Sequence, residues 1–459
     1  MDLSLFNPAF AQPAGSPIRE LFPYLGRPGM LSLAGGYPSP ALFDAEGLRA
    51  AAAAALADPA GTLQYGATEG TPALREALAG LSRQRGLAAD AGDILVTTGS
   101  QQGFDLLLRV LLQPGDVVLV ESPTYPAVLQ ALTLAGVQAL PVPMDRDGLR
   151  VDAIEPLLAG LPPGRRPRLL YTVPSYSNPR GSRMPQARRA ALVALAVRHR
   201  FLIVEDDPYG ELRFDAEASP GAQAGVGPAA VGPVGADGSA RASRHADPAA
   251  AAITPLHALG HALCGPVDNP VIHLSSLSKT VAPALRIGWM LASEPLRRRC
   301  AIAKQTVDLC TSPLSQAVAA HYLASGRYAP TVEAARQAYA RRARVLTDGL
   351  RALPGDALQV EPPRGGMFLW LEDDGGAGAA GRRPSTSTPT PTPDPRRLFD
   401  AAVAEGVLFV PGAAFHVTPP SGLCLRLSFA ALDEAALGEA VQRLARAWAR
   451  ALEPVPTAA

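Results

Sequence analysis

Lys279 and Lys304 are the only lysines among the 42 Lys and Arg residues of the chain; the other 40 are arginine. Arginine supplies charge and hydrogen bonds but does not lose its proton in a protein, so it is no nucleophilic amine. Lysine is, and Schiff-base chemistry with a carbonyl compound falls to it. Lys279 closes the segment Ser275-Ser276-Leu277-Ser278-Lys279 and is followed by Pro283-Ala284-Leu285-Arg286-Ile287-Gly288-Trp289. The hydroxyls of Ser276 and Ser278, with the guanidinium of Arg286, form an anion site beside an amine, and arginine grips phosphate in bidentate fashion. Lys304 follows Arg297-Arg298-Arg299 and reads as one more solvated or paired charge on a helix.

Four other segments offer complementary chemistry. Thr98-Gly99-Ser100-Gln101-Gln102-Gly103 runs from a strand into a helix. Gly99 permits a tight turn there, and Ser100 with the first backbone N–H groups makes an anion cradle. Ser122-Pro123-Thr124-Tyr125-Pro126 puts Tyr125 at a strand end, where it could stack on a flat heteroaromatic ring. In Tyr171-Thr172-Val173-Pro174-Ser175-Tyr176-Ser177-Asn178-Pro179, the proline holds Asn178 extended with its amide aimed outward. Val204-Glu205-Asp206-Asp207-Pro208-Tyr209 sets adjacent carboxylates just past an apolar strand. Burying them is costly, so one of them is expected to meet a cation. The step from Asp206 to Tyr209 lets both bracket one small ligand. Each feature alone also reads as a helix cap, a rim residue, a turn or a solvated loop. Together they are the parts needed to hold pyridoxal 5′-phosphate.

The elements around them form a pattern. Short apolar runs alternate with helical ones, as in βαβ units with a mostly parallel sheet. Strands are expected at Ile94–Thr97, Val117–Glu121, Leu169–Val173, Leu202–Glu205 and Val271–Leu274, and helices at Leu74–Arg85, Gln101–Leu112, Pro185–His199 and Arg297–Leu309. In open α/β sheets ligands gather at the carboxyl ends of strands, and the chemistry-bearing residues fall there. Two stretches, 217–252 and 375–395, are dominated by small residues and proline and read as low-complexity surface insertions.

With these five ordered motifs the chain resembles the fold-type I aminotransferases of class I/II. It is most similar to the subgroup of 2-aminoadipate aminotransferases and the C-terminal domains of MocR-type regulators. The resemblance runs from Ser16-Pro17-Ile18-Arg19-Glu20 to Leu425-Arg426-Leu427-Ser428, the two insertions excepted. It implies an α/β fold with a large pyridoxal-phosphate-binding domain (46–299), built on a mostly parallel seven-stranded-type sheet. A smaller α+β domain would come from 1–45 and 300–459. Lys279 would then anchor the cofactor and shuttle the proton, and Asp206 would hold the pyridine nitrogen charged. Asn178 and Tyr209 would bond the ring oxygen, and Tyr125 would stack on the ring. Ser100, Gln101 (through its backbone), Ser276, Ser278 and Arg286 would hold the phosphate, joined by Tyr65 from the neighbouring subunit of a homodimer. Arg426, in the apolar strand Leu423-Cys424-Leu425-Arg426-Leu427, would pair with the substrate α-carboxylate, near the backbone of Gly36 and Asn178. Arg19 would pair with a distal carboxylate. The implied activity is amino transfer from 2-aminoadipate, glutamate, leucine-like or aromatic amino acids to a 2-oxo acid such as 2-oxoglutarate. A β-lyase or decarboxylase on the same fold is the alternative. A regulator is disfavoured, since a winged-helix domain has no room before Ser16.

Composition sets the remaining bounds. A length of 459 residues suggests more than one packed lobe. The net charge of +1 gives no electrostatic case for nucleic acid or membrane partners. The amino terminus lacks the basic and apolar regions of a secretory signal, and no apolar run is long enough to span a bilayer. Cys264, Cys300, Cys310 and Cys424 lack metal-ligand or paired spacing and read as small buried hydrophobes. The expected compartment is the cytoplasm, and no metal is expected.

Overall fold

The computed structural model describes residues 3–10, 15–214, 253–352, 360–373 and 392–454. The expected insertion 217–252 lies outside the described residues, as does 375–391 of the second. Its last residues are described: Asp394 caps the helix Pro395–Ala404 by accepting from the amides of Arg396 and Arg397.

A mixed sheet organises the larger part of the chain. Its order is Ile94–Thr98, Ile287–Leu291, Val271–Ser276, Leu202–Asp206, Pro167–Thr172, Val117–Ser122, Gln138–Asp145 and the two-residue Gly148–Leu149. Seven long strands thus form the body, with a hairpin at one edge. Ile287–Leu291 runs antiparallel to both its neighbours, and the internal pairs from Val271–Ser276 to Gln138–Asp145 are parallel. All five expected strands are present, extended or shifted by one or two residues. Two of the seven long strands of this sheet escaped the sequence reading. Gln138–Asp145 carries Pro141 and Pro143, which signal against a strand, but it lies at the sheet edge where a missing N–H is tolerated. Ile287–Leu291 lay within a segment read only for its arginine.

Helices cover the sheet. Ser100–Leu111 and Glu294–Val307 pack on each other, and Gln186–His199 packs with Leu256–Cys264. The central strands are buried on both faces: every residue of Val271–Ser276 and of Ile287–Leu291 is buried. That burial explains the unbroken apolar runs in the sequence. A smaller antiparallel sheet joins Phe368–Glu372, Cys424–Ser428 and Val410–Pro411, next to the long helices Tyr328–Arg351 and Glu434–Leu452. Leu31–Ser32 pairs in parallel with Val407–Leu408 in a separate two-stranded sheet, and the Leu33 carbonyl accepts from the Ser428 amide at 2.7 Å, which ties the N-terminal region to the smaller sheet. Among the described residues no helix is long and apolar enough to cross a membrane.

At the adjacent strands Val117–Ser122 and Pro167–Thr172 the connections leave in opposite directions, one toward the sheet edge and one toward its centre. Such a reversal opens a crevice above the carboxyl ends. Tyr125 and Asn178 follow these two strands.

Candidate active site

Lys279 lies in the turn after Val271–Ser276, partly buried, and its Nζ donates to the Gly36 carbonyl at 2.9 Å. Burial lowers its pKa to about 8, helped by the nearby guanidinium groups of Arg426 and Arg286. An amine poised there is far more available in neutral form than an exposed lysine.

Asp206 ends the neighbouring strand. Tyr171 donates to its Oδ2 at 2.6 Å, while Oδ1 is buried without a partner among the described residues. Burial raises its pKa to about 6 against the pull of the Tyr171 bond. The cation expected next to one of the adjacent carboxylates is present, but not at Asp206. Arg85 pairs with Asp207, which also accepts from the amide of Gly210. Glu205, on the other side, faces Arg189 at 3.6 Å and His273 at 2.9 Å. Asp206, reached by the hydroxyls of Tyr171 and Ser100, is thus the member of the acidic run without a cation in contact among the described residues.

Arg426 is 1% exposed and sits between two aromatic rings, 4.4 Å from the centroid of Phe368 and 5.1 Å from that of Phe415. Its Nη1 donates to Asn178 Oδ1 at 2.8 Å and its Nη2 to the carbonyl of Ala34, while Nε has no partner. No carboxylate pairs with it among the described residues, and burial lowers its pKa to about 10. A guanidinium held dry without a counterion calls for an anion.

Asn178 links these groups. Its amide bonds Tyr209 as well as Arg426, and burial lifts the Tyr209 hydroxyl above the usual tyrosine range, so it stays protonated. The expectation of an outward-pointing amide is therefore corrected: Asn178 is buried and turned inward. Arg189 explains how its loop is held, donating to the carbonyls of Met184 (3.0 Å) and Pro174 (2.8 Å) and to Ser175 Oγ (2.9 Å). Tyr125 is half-buried at the start of the helix Pro126–Leu134, and its hydroxyl senses Asp206, Arg426 and Arg286.

The turn expected to cradle an anion packs closely against the strand that follows Arg286. Gly99, at φ +80°, caps the helix Ser100–Leu111, so the Ser100 hydroxyl is not spent as the cap. A Cβ at Gly288 would lie 2.5 Å from Ser100 N, and one at Gly99 would lie 2.5 Å from an Arg286 nitrogen. These two glycines let the turn, the strand and Arg286 close on one another. Ser276 Oγ lies 2.8 Å from Ser278 Oγ and 3.0 Å from the Ile287 carbonyl. Gln101 is exposed beside Ser100, as is Arg286.

Tyr65 and Arg19 stand outside this cluster. Tyr65 is 79% exposed, beside the exposed Leu63; Arg19 is exposed in the turn Arg19–Leu21. Lys304, expected as a solvated or paired charge, is the paired one: it is fully buried and lies 2.7 Å from Asp308. Cys300 and Cys424 are buried as expected, but Cys264 and Cys310 are partly exposed; none is in a disulfide. The sequence reading did not assign Tyr171, Phe368 or Phe415. Strand register was the available signal for Tyr171, since it pairs with Val204 two residues before Asp206.

Glu121 gives a stability prediction. Burial raises its pKa to about 7, although Thr172 Oγ1 and the Val173 amide donate to it. An acid whose folded pKa is raised holds its proton more tightly folded than unfolded, so stability falls as pH rises through the interval. Denaturant unfolding of cofactor-free protein should lose about 3 kcal/mol between pH 4.5 and 7 on account of Glu121, and Asp206 adds to the same slope. Glu121→Gln should flatten it.

The unpartnered Asp206 Oδ1 fits the protonated nitrogen of a pyridine ring, the cradle fits a phosphate, and the Lys279 amine is close enough to Asp206 and Arg286 to interact with both. The residues present fit pyridoxal 5′-phosphate.

Comparison with known proteins agrees. The family model for aminotransferase class I and II matches residues 40–444. The chain is 34% identical to a 2-aminoadipate transaminase of Thermus thermophilus, over 96% of this chain and 97% of that one. It is 33% identical to aromatic-amino-acid aminotransferase 1 of Thermococcus litoralis, over 94% and 90%. Among solved structures it superposes on the alpha-aminoadipate aminotransferase of Thermus thermophilus complexed with N-(5'-phosphopyridoxyl)-L-leucine, with a TM-score of 0.77, 32% identity and 98% coverage of both chains. With a family match over most of its length and relatives similar nearly end to end, the chain belongs to the class I and II aminotransferases, transaminases that work with pyridoxal 5′-phosphate.

Proposed function

We propose that this transaminase moves the amino group of 2-aminoadipate, glutamate, leucine-like or aromatic amino acids to 2-oxoglutarate, in a site formed around Lys279. One observation carries the reading: Asp206 and Arg426 are buried charges without an ionic partner of opposite charge in contact among the described residues, near Asn178 and Tyr209. A cofactor ring nitrogen answers the first and an amino acid carboxylate the second.

The cofactor, when bound, supplies an electron sink for the Cα–H bond that breaks. The chain's residues do the rest. Asp206 holds a positive charge at its open oxygen; an ion pair at contact distance is worth roughly 4 kcal/mol at an effective dielectric near 20. Asn178 and Tyr209 offer hydrogen bonds to the ring oxygen, and Tyr125 offers a stacking face. Ser100, the Gln101 amide, Ser276, Ser278 and Arg286 hold the phosphate. Arg426 orients the substrate carboxylate beside Gly36, which places Cα within reach of Lys279. Lys279 then moves the proton at Cα, and its low pKa suits it to act as base near neutrality.

Exposure of Tyr65 and Leu63 supports a homodimer in which Tyr65 completes the phosphate site of the partner subunit. Free cysteines support the cytoplasm as the compartment.

Substrate breadth falls to the N-terminal segment. Ile18, Leu21 and Tyr24 pack on the same apolar cluster as Ala34 and Phe415, both of which touch Arg426. Arg19 thus rides on a segment anchored near the substrate site, and its exposed guanidinium is free to meet a distal carboxylate or swing away. Half-reaction spectra with a panel of amino acids test this. Arg19→Ala should weaken kcat/KM for 2-aminoadipate and glutamate by about 2 kcal/mol and spare leucine. Equal losses for all donors would leave Arg19 a merely structural part.

A further inference from the structure

The second lysine is not surplus. Lys304, at 0% exposure, places its Nζ among four oxygens: Asp308 Oδ1 (2.7 Å) and Oδ2 (2.8 Å), Gln102 Oε1 (3.1 Å) and Thr311 Oγ1 (3.1 Å). A compact ammonium fills such a cage, whereas the longer planar fork of arginine does not. In a chain that writes 40 of its 42 basic residues as arginine, this is a physical reason for a lysine here.

The cage reaches the phosphate turn from behind. Gln102 Oε1, held by Lys304, also accepts from the backbone amide of Thr98 at 2.8 Å, and Gln102 Nε2 donates to Asp308 Oδ2 at 2.8 Å. Thr98 Oγ1 donates to the same carboxylate oxygen at 2.9 Å. Thr98 is thus fixed through both its backbone and its side chain, one residue before Gly99 and two before Ser100. Lys304 is the fully buried centre of the network, while Thr98, Gln102 and Asp308 are partly buried; polar networks hold a single geometry when their members are satisfied.

We propose that Lys304 and Asp308 are positioning residues for the phosphate-holding turn Thr98–Gln102: they set the direction of the Gly99–Ser100 peptide and thereby the affinity for the cofactor's phosphate without touching it. The proposal rests on the assignment of the phosphate to this turn. Two ligands that differ only in the phosphate isolate it, since supporting residues act on the group they orient.

The test titrates cofactor-free protein with pyridoxal 5′-phosphate and, separately, with pyridoxal, following visible absorbance, and records thermal unfolding of each variant. Wild type should bind the phosphorylated ligand much more tightly, and Ser100→Ala should narrow that preference. Lys304→Met should lose roughly tenfold in affinity for pyridoxal 5′-phosphate and less than about twofold for pyridoxal. Should that variant fail to fold, Gln102→Leu keeps the Lys304–Asp308 pair and severs its link to Thr98, with the same selective loss expected. An unchanged preference in folded Lys304→Met or Gln102→Leu, or equal losses for both ligands, would overturn the proposal while the Ser100 result leaves the phosphate assignment standing. A wild type without any preference would overturn both.

Discussion

Lys279→Ala is expected to lower transamination turnover by roughly 10⁴-fold, the upper end of what one positioned acid–base group contributes. The variant should remain folded. Burial, helped by two nearby guanidinium groups, is what holds the wild-type amine's pKa near 8. Removing it relieves repulsion, so the melting temperature should not fall. Lys279→Arg is the sharper control: it keeps a cation in place but offers no nucleophile or base, and it should be as inactive as alanine. Steady-state rates with glutamate and 2-oxoglutarate check both variants. A Lys279→Arg protein with substantial turnover would remove the amine from the mechanism.

Asp206→Asn should retain its fold and slow the half-reaction at least about a hundredfold, or about 2.7 kcal/mol. Asparagine keeps the shape and still offers an oxygen to the Tyr171 hydroxyl. It cannot hold a charge at the open position, so the ring nitrogen loses its counterion. Rapid-mixing absorbance with a saturating amino acid measures the rate. Asp207→Asn separates this from the general effect of an acidic residue. Asp207 is committed to Arg85 and the Gly210 amide, so its loss should lower stability more than the rate. The reverse outcome, with Asp207→Asn slow and Asp206→Asn unaffected, would exchange their roles.

The sheet was legible because strands buried on both faces read as unbroken apolar runs, and the site residues follow their carboxyl ends. Gln138–Asp145 was not legible, because its prolines are permitted only by its edge position, a fact of topology that local sequence does not carry. At the site, residue type picked out Lys279 in a chain that otherwise uses arginine, whereas Asp206 and Arg426 were singled out by the resemblance to the class I/II aminotransferases. Their partners were harder to see. Tyr171 bonds Asp206 from the adjacent strand, and Phe368 and Phe415 sandwich Arg426 from segments far away in sequence. These contacts depend on register and packing, which spacing along one chain does not encode. Lys304 shows the same limit: its helix was expected, but the cage that buries it comes from Gln102, Asp308 and Thr311 together.

The central claim is that Lys279, and not the other lysine, anchors the cofactor. Reduction of the cofactor-loaded protein with borohydride, followed by proteolysis and mass spectrometry of the peptides, tests it directly. The structure predicts a single pyridoxyl group on the peptide carrying Lys279, because its Nζ faces the cradle, Asp206 and Arg426 from within the site. Lys304 should stay unmodified, with its Nζ enclosed by Asp308, Gln102 and Thr311. A label on Lys304, or its absence from Lys279, would contradict the account.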